Sequence, residues 1–193
     1  MPEQAPDSDP GSSKTLTVSP LVKEGSIAIG LVVLLLGSMW ISTGSFPPMV
    51  VVESGSMMHD EEGSVGAIDP GDLILVMNKN RVDVVTFVEA TEAGNERYGY
   101  ESHGSPGDVI IFSKNGGLDT PVIHRALLEV VQNGSGWDVP GTTLRNVQTI
   151  TWTLDIPCSS YHGNYNLRIE DWKPSHSGFL TSGDNNADGC MID

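Results

Sequence analysis

Positive charge is scarce in this chain. Ten Lys+Arg stand against 25 Asp+Glu in 193 residues, a formal net charge of −15. Neutralising phosphates takes a basic face, so the balance argues against nucleic-acid binding. It argues equally against a polybasic grip on anionic lipid. The acid excess reads as a well-hydrated surface suited to high salt, with an acidic docking face as the alternative. Cysteine is nearly missing. Cys158 and Cys190 are too few for a disulfide scaffold and form no C-x-x-C pair, although one bridge stays open in an extracytoplasmic domain. The five histidines (His59, His103, His124, His162 and His176) lack i,i+4 pairing, which argues against a zinc site. No internal repeat is present, and no long segment with 3.6-residue periodicity follows residue 52.

Charge of either sign is missing from Gly25 to Val52. The core of that run, IAIGLVVLLLGSMWISTGSF, is about 20 residues, enough at ~1.5 Å per residue to cross a ~30 Å hydrocarbon layer. Residues 25–46 are expected to form a transmembrane anchor, with Trp40 placed for an interfacial contact and Pro47-Pro48 ending the helix. A cleaved signal peptide fits less well, given the long acidic preamble and the length of the apolar run. Residues 1–24, rich in Pro, Ser, Asp and Gly, read as a disordered tail. Lys14 and Lys23 precede the span, whereas Glu53, Asp60, Glu61 and Glu62 follow it with no base before Lys79. The positive-inside bias therefore predicts a single-pass protein of the cell membrane, with its N-terminus cytoplasmic and residues 47–193 extracytoplasmic.

The remainder is expected to be mostly β. DLILV (72–76), VDVVTFV (82–88), DVIIF (108–112), VIHRALLEVV (122–131) and VQTITWTL (147–154) are rich in β-branched and aromatic residues. Asp69-Pro70-Gly71, Ser105-Pro106-Gly107, Asn115-Gly116-Gly117 and Asn133-Gly134-Ser135-Gly136 punctuate them as turns. Residues 132–180 read as a loop-rich insertion.

Three stretches carry candidate chemistry. Ser56 follows Pro48 by eight residues, at most ~26–29 Å of extended chain, so it is tethered close to the anchor. Serine is a weak nucleophile and needs a base within hydrogen-bond reach. Ser54 lies two positions earlier, on the same face of an extended segment, where its hydroxyl and the Ser56 N–H can serve a developing oxyanion. His124 interrupts an apolar strand and is a candidate general base. His59 is a rival base in what reads as an exposed turn. The third stretch, Thr181–Gly189, admits a solvated turn, half of a calcium loop (D-x-N-x-D-G), or a carboxylate that orients a histidine.

In chain order the anchor, SGSMM (54–58), PGDLILV (70–76), GDVIIF (107–112), VIHRAL (122–127) and SGDNN (182–186) resemble type I signal peptidases. The resemblance covers the anchor and most of 50–131 and 181–193. His124, where the bacterial branch carries a lysine, points to the archaeal and endoplasmic-reticulum branch. What the resemblance implies is a membrane-bound serine endopeptidase that removes signal peptides from exported preproteins after small residues, without metal or cofactor. Its partners would be preproteins and membrane lipid, with room for accessory membrane subunits. Ser56 would be the nucleophile and His124 the general base. Asp184 would support the site, with Asp193, preferred to Asp188, as the second aspartate. Ser54 and the Ser56 N–H would hold the oxyanion, and Met57 would pack beside the substrate-binding cleft. The implied fold is a mostly β, signal-peptidase-like catalytic domain tethered by one N-terminal transmembrane helix, with an apolar face near the bilayer.

Some features depart from that pattern. The family carries proline two residues after its Ser-Met pair, and here the position is His59. Asp60–Ile68 reads as an added acidic excursion, and 132–180 is longer than the pattern needs. Family members continue beyond the point where this chain stops, so a fragment is expected. These departures motivate an alternative, a catalytically inactive membrane-tethered β domain that binds partners. A calcium-binding domain is the third reading.

Overall fold

The structure is a computed structural model. It describes residues 19–59, 62–114, 120–160, 163–185 and 192, with backbone alone for 157–160 and 163–165. The chain divides into two compact units, Met1–Ser42 and Thr43–Asp193.

The first unit is dominated by helix α1, Pro20–Thr43. Its 24 residues give ~36 Å of helix, and it is long and apolar enough to cross a bilayer. Ser26, Ser38 and Ser42 return their hydroxyls to helix carbonyls at Val22, Leu35 and Ser38, so these polar groups are satisfied without outside partners. The helix lies several residues N-terminal to the expected 25–46. Pro20 at the first helical position costs nothing, because its missing N–H would have been unpaired there anyway. Ser19 precedes it, its hydroxyl accepting from Val22 N. Residues 20–24, expected to be tail, are therefore helical. At the other end, Gly44 takes a positive φ of 67° and stops the helix before the prolines do.

The second unit is built from small antiparallel sheets. β1 (Met49–Val51) pairs with β2 (Leu73–Leu75). A five-residue helix, α2 (Phe87–Thr91), comes next, then the short hairpin of β3 (Glu101–Ser102) and β4 (Ser105–Pro106). β5 (Val109–Phe112) and β10 (Gly178–Ser182) flank the central 12-residue β6 (Val122–Asn133), which also pairs with β7 (Gly136–Asp138). β8 (Ile150–Ser160) and β9 (Gly163–Trp172) form a separate two-stranded ribbon.

Two expectations fail here. VDVVTFV is not a strand. Thr86 caps α2 through a reciprocal box, its hydroxyl accepting from Glu89 N while the Glu89 carboxylate accepts from Thr86 N. That pairing satisfies two helix-end donors and outweighs the β propensity of the surrounding valines. Residues 132–180 are not mainly loop either, since β7, β8, β9 and the start of β10 lie there. Ile150, Leu154, Leu167 and Ile169 of the ribbon are buried with Phe87, Leu127, Leu128, Val139 and Leu180 in the larger core. A smaller core joins Val52, Met57, Ile68 and Ile123, with Ile74, Val109 and Ile111 against them. Ile68 thus seats the C-terminal end of the expected acidic excursion in the fold.

Candidate active site

The smaller core fixes the serine segment. Val52 N donates to Asp72 O, and Gly71 N donates to Val52 O. Met57 is 1% exposed, its side chain packed with Ile123 of β6, so it anchors the turn that carries Ser56. Burying a methionine contributes about 1.5–3 kcal/mol. Met58 N closes the turn on Gly55 O at 3.2 Å. Ser54 Oγ and Ser56 Oγ stand 3.2 Å apart, brought together at the start of this turn and not along the extended segment that was expected. Ser56 Oγ donates to Ile123 O at 3.4 Å, across 67 positions of sequence.

His124 follows Ile123 directly, so the serine hydroxyl and the imidazole-bearing residue are separated by one peptide on β6. His124 pairs with Ile110 of β5. Its Nδ1 lies 3.4 Å from Thr181 Oγ1, and its ring meets the Phe112 ring edge-on with centroids 6.1 Å apart. Thr181 reaches this position through an irregularity between Leu180 and Thr181, where β6 carries one extra residue. A bulge of this kind turns the end of a strand and re-aims its side chains.

The residues after β10 close over the serine. Asn185 N donates to Ser56 O at 2.9 Å, and Asn185 Nδ2 donates to Gly55 O at 3.0 Å. Gly183 touches the same turn, and a β-carbon there would stand 2.5 Å from Ser56 O. Asp184 accepts from Arg125 through both carboxylate oxygens, Nε to Oδ1 at 2.8 Å and Nη2 to Oδ2 at 2.5 Å. Arg125 is 2% exposed. A buried guanidinium is tolerable only when its charge and donors are met. Beyond Asp184 its Nη1 donates to the carbonyls of Ser102, Ser105 and Gly107 at 2.9, 3.2 and 2.6 Å. Tyr100 braces the same region by donating to Asp108 Oδ1 at 2.7 Å. That bond, then burial and the charge of the same carboxylate, hold the phenol above its ordinary range.

Of the residues picked from sequence, Ser54, Ser56, Met57, His124 and Asp184 converge here. Asp193 and Asp188 lie outside the described residues, as do all of residues 186–189 of the proposed calcium loop. Cys190 and the Cys158 side chain also fall outside them. Four residues were not singled out as parts of the site: Arg125, Thr181, Asn185 and, as a partner of Asp184, His59. His59 Nε2 lies 2.8 Å from Asp184 Oδ2, so the turn, exposed at His59 as expected, is tied down there as well. A lone arginine inside the apolar run of β6 was a usable signal, because such a residue requires a buried carboxylate. No family model, curated protein or solved structure matches this chain.

Proposed function

We propose that this chain is a membrane-tethered serine endopeptidase of the type I signal-peptidase kind, with a signal-peptidase-like fold, acting on preproteins at the extracytoplasmic surface. The observation that carries the reading is the meeting of three distant segments. Ser56 reaches the Ile123 carbonyl beside His124, and Gly183–Asn185 grip the serine turn from the other side. In this reading His124 accepts the Ser56 proton as Oγ attacks the scissile carbonyl. The oxyanion is met by the Ser56 N–H and the Ser54 hydroxyl. His124 returns the proton to the leaving amine, and water then hydrolyses the acyl ester. The step requires Ser56 Oγ to rotate from Ile123 O towards the imidazole, since catalytic hydrogen bonds often tighten only around substrate.

The surface of β1–β2 supports a partner of apolar character. Met49 pairs with Leu75 and Val51 with Leu73 on one face. Val51, Leu73 and Leu75 are each more than half exposed, a grouping that suits lipid or the apolar part of a signal peptide. The scarcity of base after α1 supports a cytoplasmic N-terminus.

A second reading, a non-catalytic tethered domain, is favoured by one detail, that the Ser56 hydroxyl is given to a backbone carbonyl. One experiment separates the two. The wild-type protein, Ser56→Ala and His124→Ala are compared for cleavage of a preprotein in detergent, with a serine-directed acylating probe alongside. The peptidase reading expects cleavage and labelling by the wild type and loss of cleavage in both variants. Equal behaviour of all three proteins disposes of it.

A further inference from the structure

We propose that His59 is a positioning residue that sets the distance between Ser56 and His124; the inference rests on the peptidase reading above. Two ties from the loop after β10 hold the turn by its Gly55 and Ser56 carbonyls. The third, His59 Nε2 to Asp184 Oδ2 at 2.8 Å, holds its C-terminal side. Asp184 is a fixed point for this purpose. Arg125 binds both of its oxygens, and Arg125 is itself buried on β6 next to His124. His59 therefore references the serine turn, through Asp184 and Arg125, to the strand that carries the base. Because Asp184 is an acceptor held by a guanidinium, His59 must donate, so its Nε2 carries the proton.

The ring also has a fitted place. Gly104, in the β3–β4 turn, has a φ of 78°. A β-carbon there would stand 3.0 Å from His59 Cε1 and 3.2 Å from Nδ1. The missing side chain leaves room for the imidazole beside the turn. The His59 side chain is 27% exposed, so it is reachable by mutation without opening a core.

The test uses the full chain in detergent and a preprotein with an Ala-x-Ala cleavage site, comparing wild type with His59→Leu, His59→Gln, Gly104→Ala and Ser56→Ala. A small misplacement of reacting groups costs up to about 100-fold in rate. His59→Leu is expected to lower kcat by about 10- to 100-fold, with KM within about 3-fold of wild type. The Gln amide nitrogen reaches nearly as far as Nε2 and also donates, so His59→Gln is expected to recover most of kcat. Gly104→Ala displaces the ring and should fall between the two. Wild-type kcat in His59→Leu, or equal loss in the Leu and Gln variants, overturns the inference while an inactive Ser56→Ala leaves the peptidase reading standing. No cleavage by the wild type overturns both. If His59→Leu does not fold, wild-type kcat in Gly104→Ala together with loss in His59→Gln still refutes the inference.

Discussion

Gly183 packs against the carbonyl of Ser56 so closely that a β-carbon would stand 2.5 Å from that oxygen and 3.2 Å from the Ser56 β-carbon. The obstacle is backbone, which cannot swing aside as a flexible side chain would. Replacing Gly183 by alanine must therefore push the serine turn away from β10 or strain both. Ser56 is itself only half-buried, at the edge of the smaller core, so a shift of its backbone uncovers little apolar surface. Activity should suffer more than stability. Gly183→Ala is expected to lower preprotein cleavage at least about tenfold, while the thermal midpoint drops by only a few degrees. Cleavage at the wild-type rate would mean that the contact between Gly183 and Ser56 does not set the nucleophile. This glycine was legible only as part of the Ser-Gly-Asp-Asn run. Its reason, a close approach between segments 127 positions apart in sequence, belongs to tertiary packing that no local pattern reports.

At the scale of elements, β6 carries an acid in a costly place. Glu129 pairs with Phe179 of β10, and burial followed by the nearby Glu89 carboxylate raises its pKa above the usual 4.5. Glu89 is held in place by the α2 capping box, so the two acids cannot simply part. A raised carboxylate contributes its stability fully below the unfolded pKa and loses it as pH rises through the folded pKa. Glu129→Gln should therefore raise the thermal midpoint by a few degrees at pH 7, and the gain should vanish near pH 4, where the native glutamate is neutral. A gain of the same size at both pH values would show that charge is not the cause. The same elements show what sequence can and cannot report. β6 was legible because seven of the ten residues of VIHRALLEVV are apolar, as suits a strand buried on much of both faces. The β8–β9 ribbon was legible only in part: VQTITWTL marked the first half of β8, whereas the rest was missed. There Asp155, Asn166, Arg168 and Glu170 on the outer face read as loop unless the alternation of Ile150, Trp152 and Leu154 is followed through them. α2 was hidden by the reverse effect. Its Thr86-x-x-Glu89 box is four residues long and sits inside a valine-rich run that outvotes it on propensity.

For the molecule as a whole, the acid excess has a mechanical consequence. With a net charge of −15, repulsion among carboxylates opposes the compact state and is relieved on unfolding. Salt shortens its range: the Debye length falls from ~10 Å at 0.1 M to ~3 Å at 1 M. Among the described residues, two arginine–carboxylate pairs work against this trend, but both are poorly placed to respond to salt. Arg125 and Asp184 are largely shielded from water, at 2% and 11% side-chain exposure, and a buried pair is screened far less than an exposed one. Arg168 and Glu170 are 60% and 63% exposed, and a surface pair of this kind contributes at most about 1 kcal/mol. Repulsion should therefore dominate the salt response. The thermal midpoint of the full chain in detergent is expected to rise by several degrees between about 0.1 and 1 M sodium chloride, with most of the gain complete by about 0.5 M as screening saturates. Sodium sulfate strengthens apolar burial as well as screening, so it should keep raising the midpoint where chloride has levelled off. A midpoint that falls with added chloride would show that attractive pairs, and not the acid excess, govern the electrostatics of this fold.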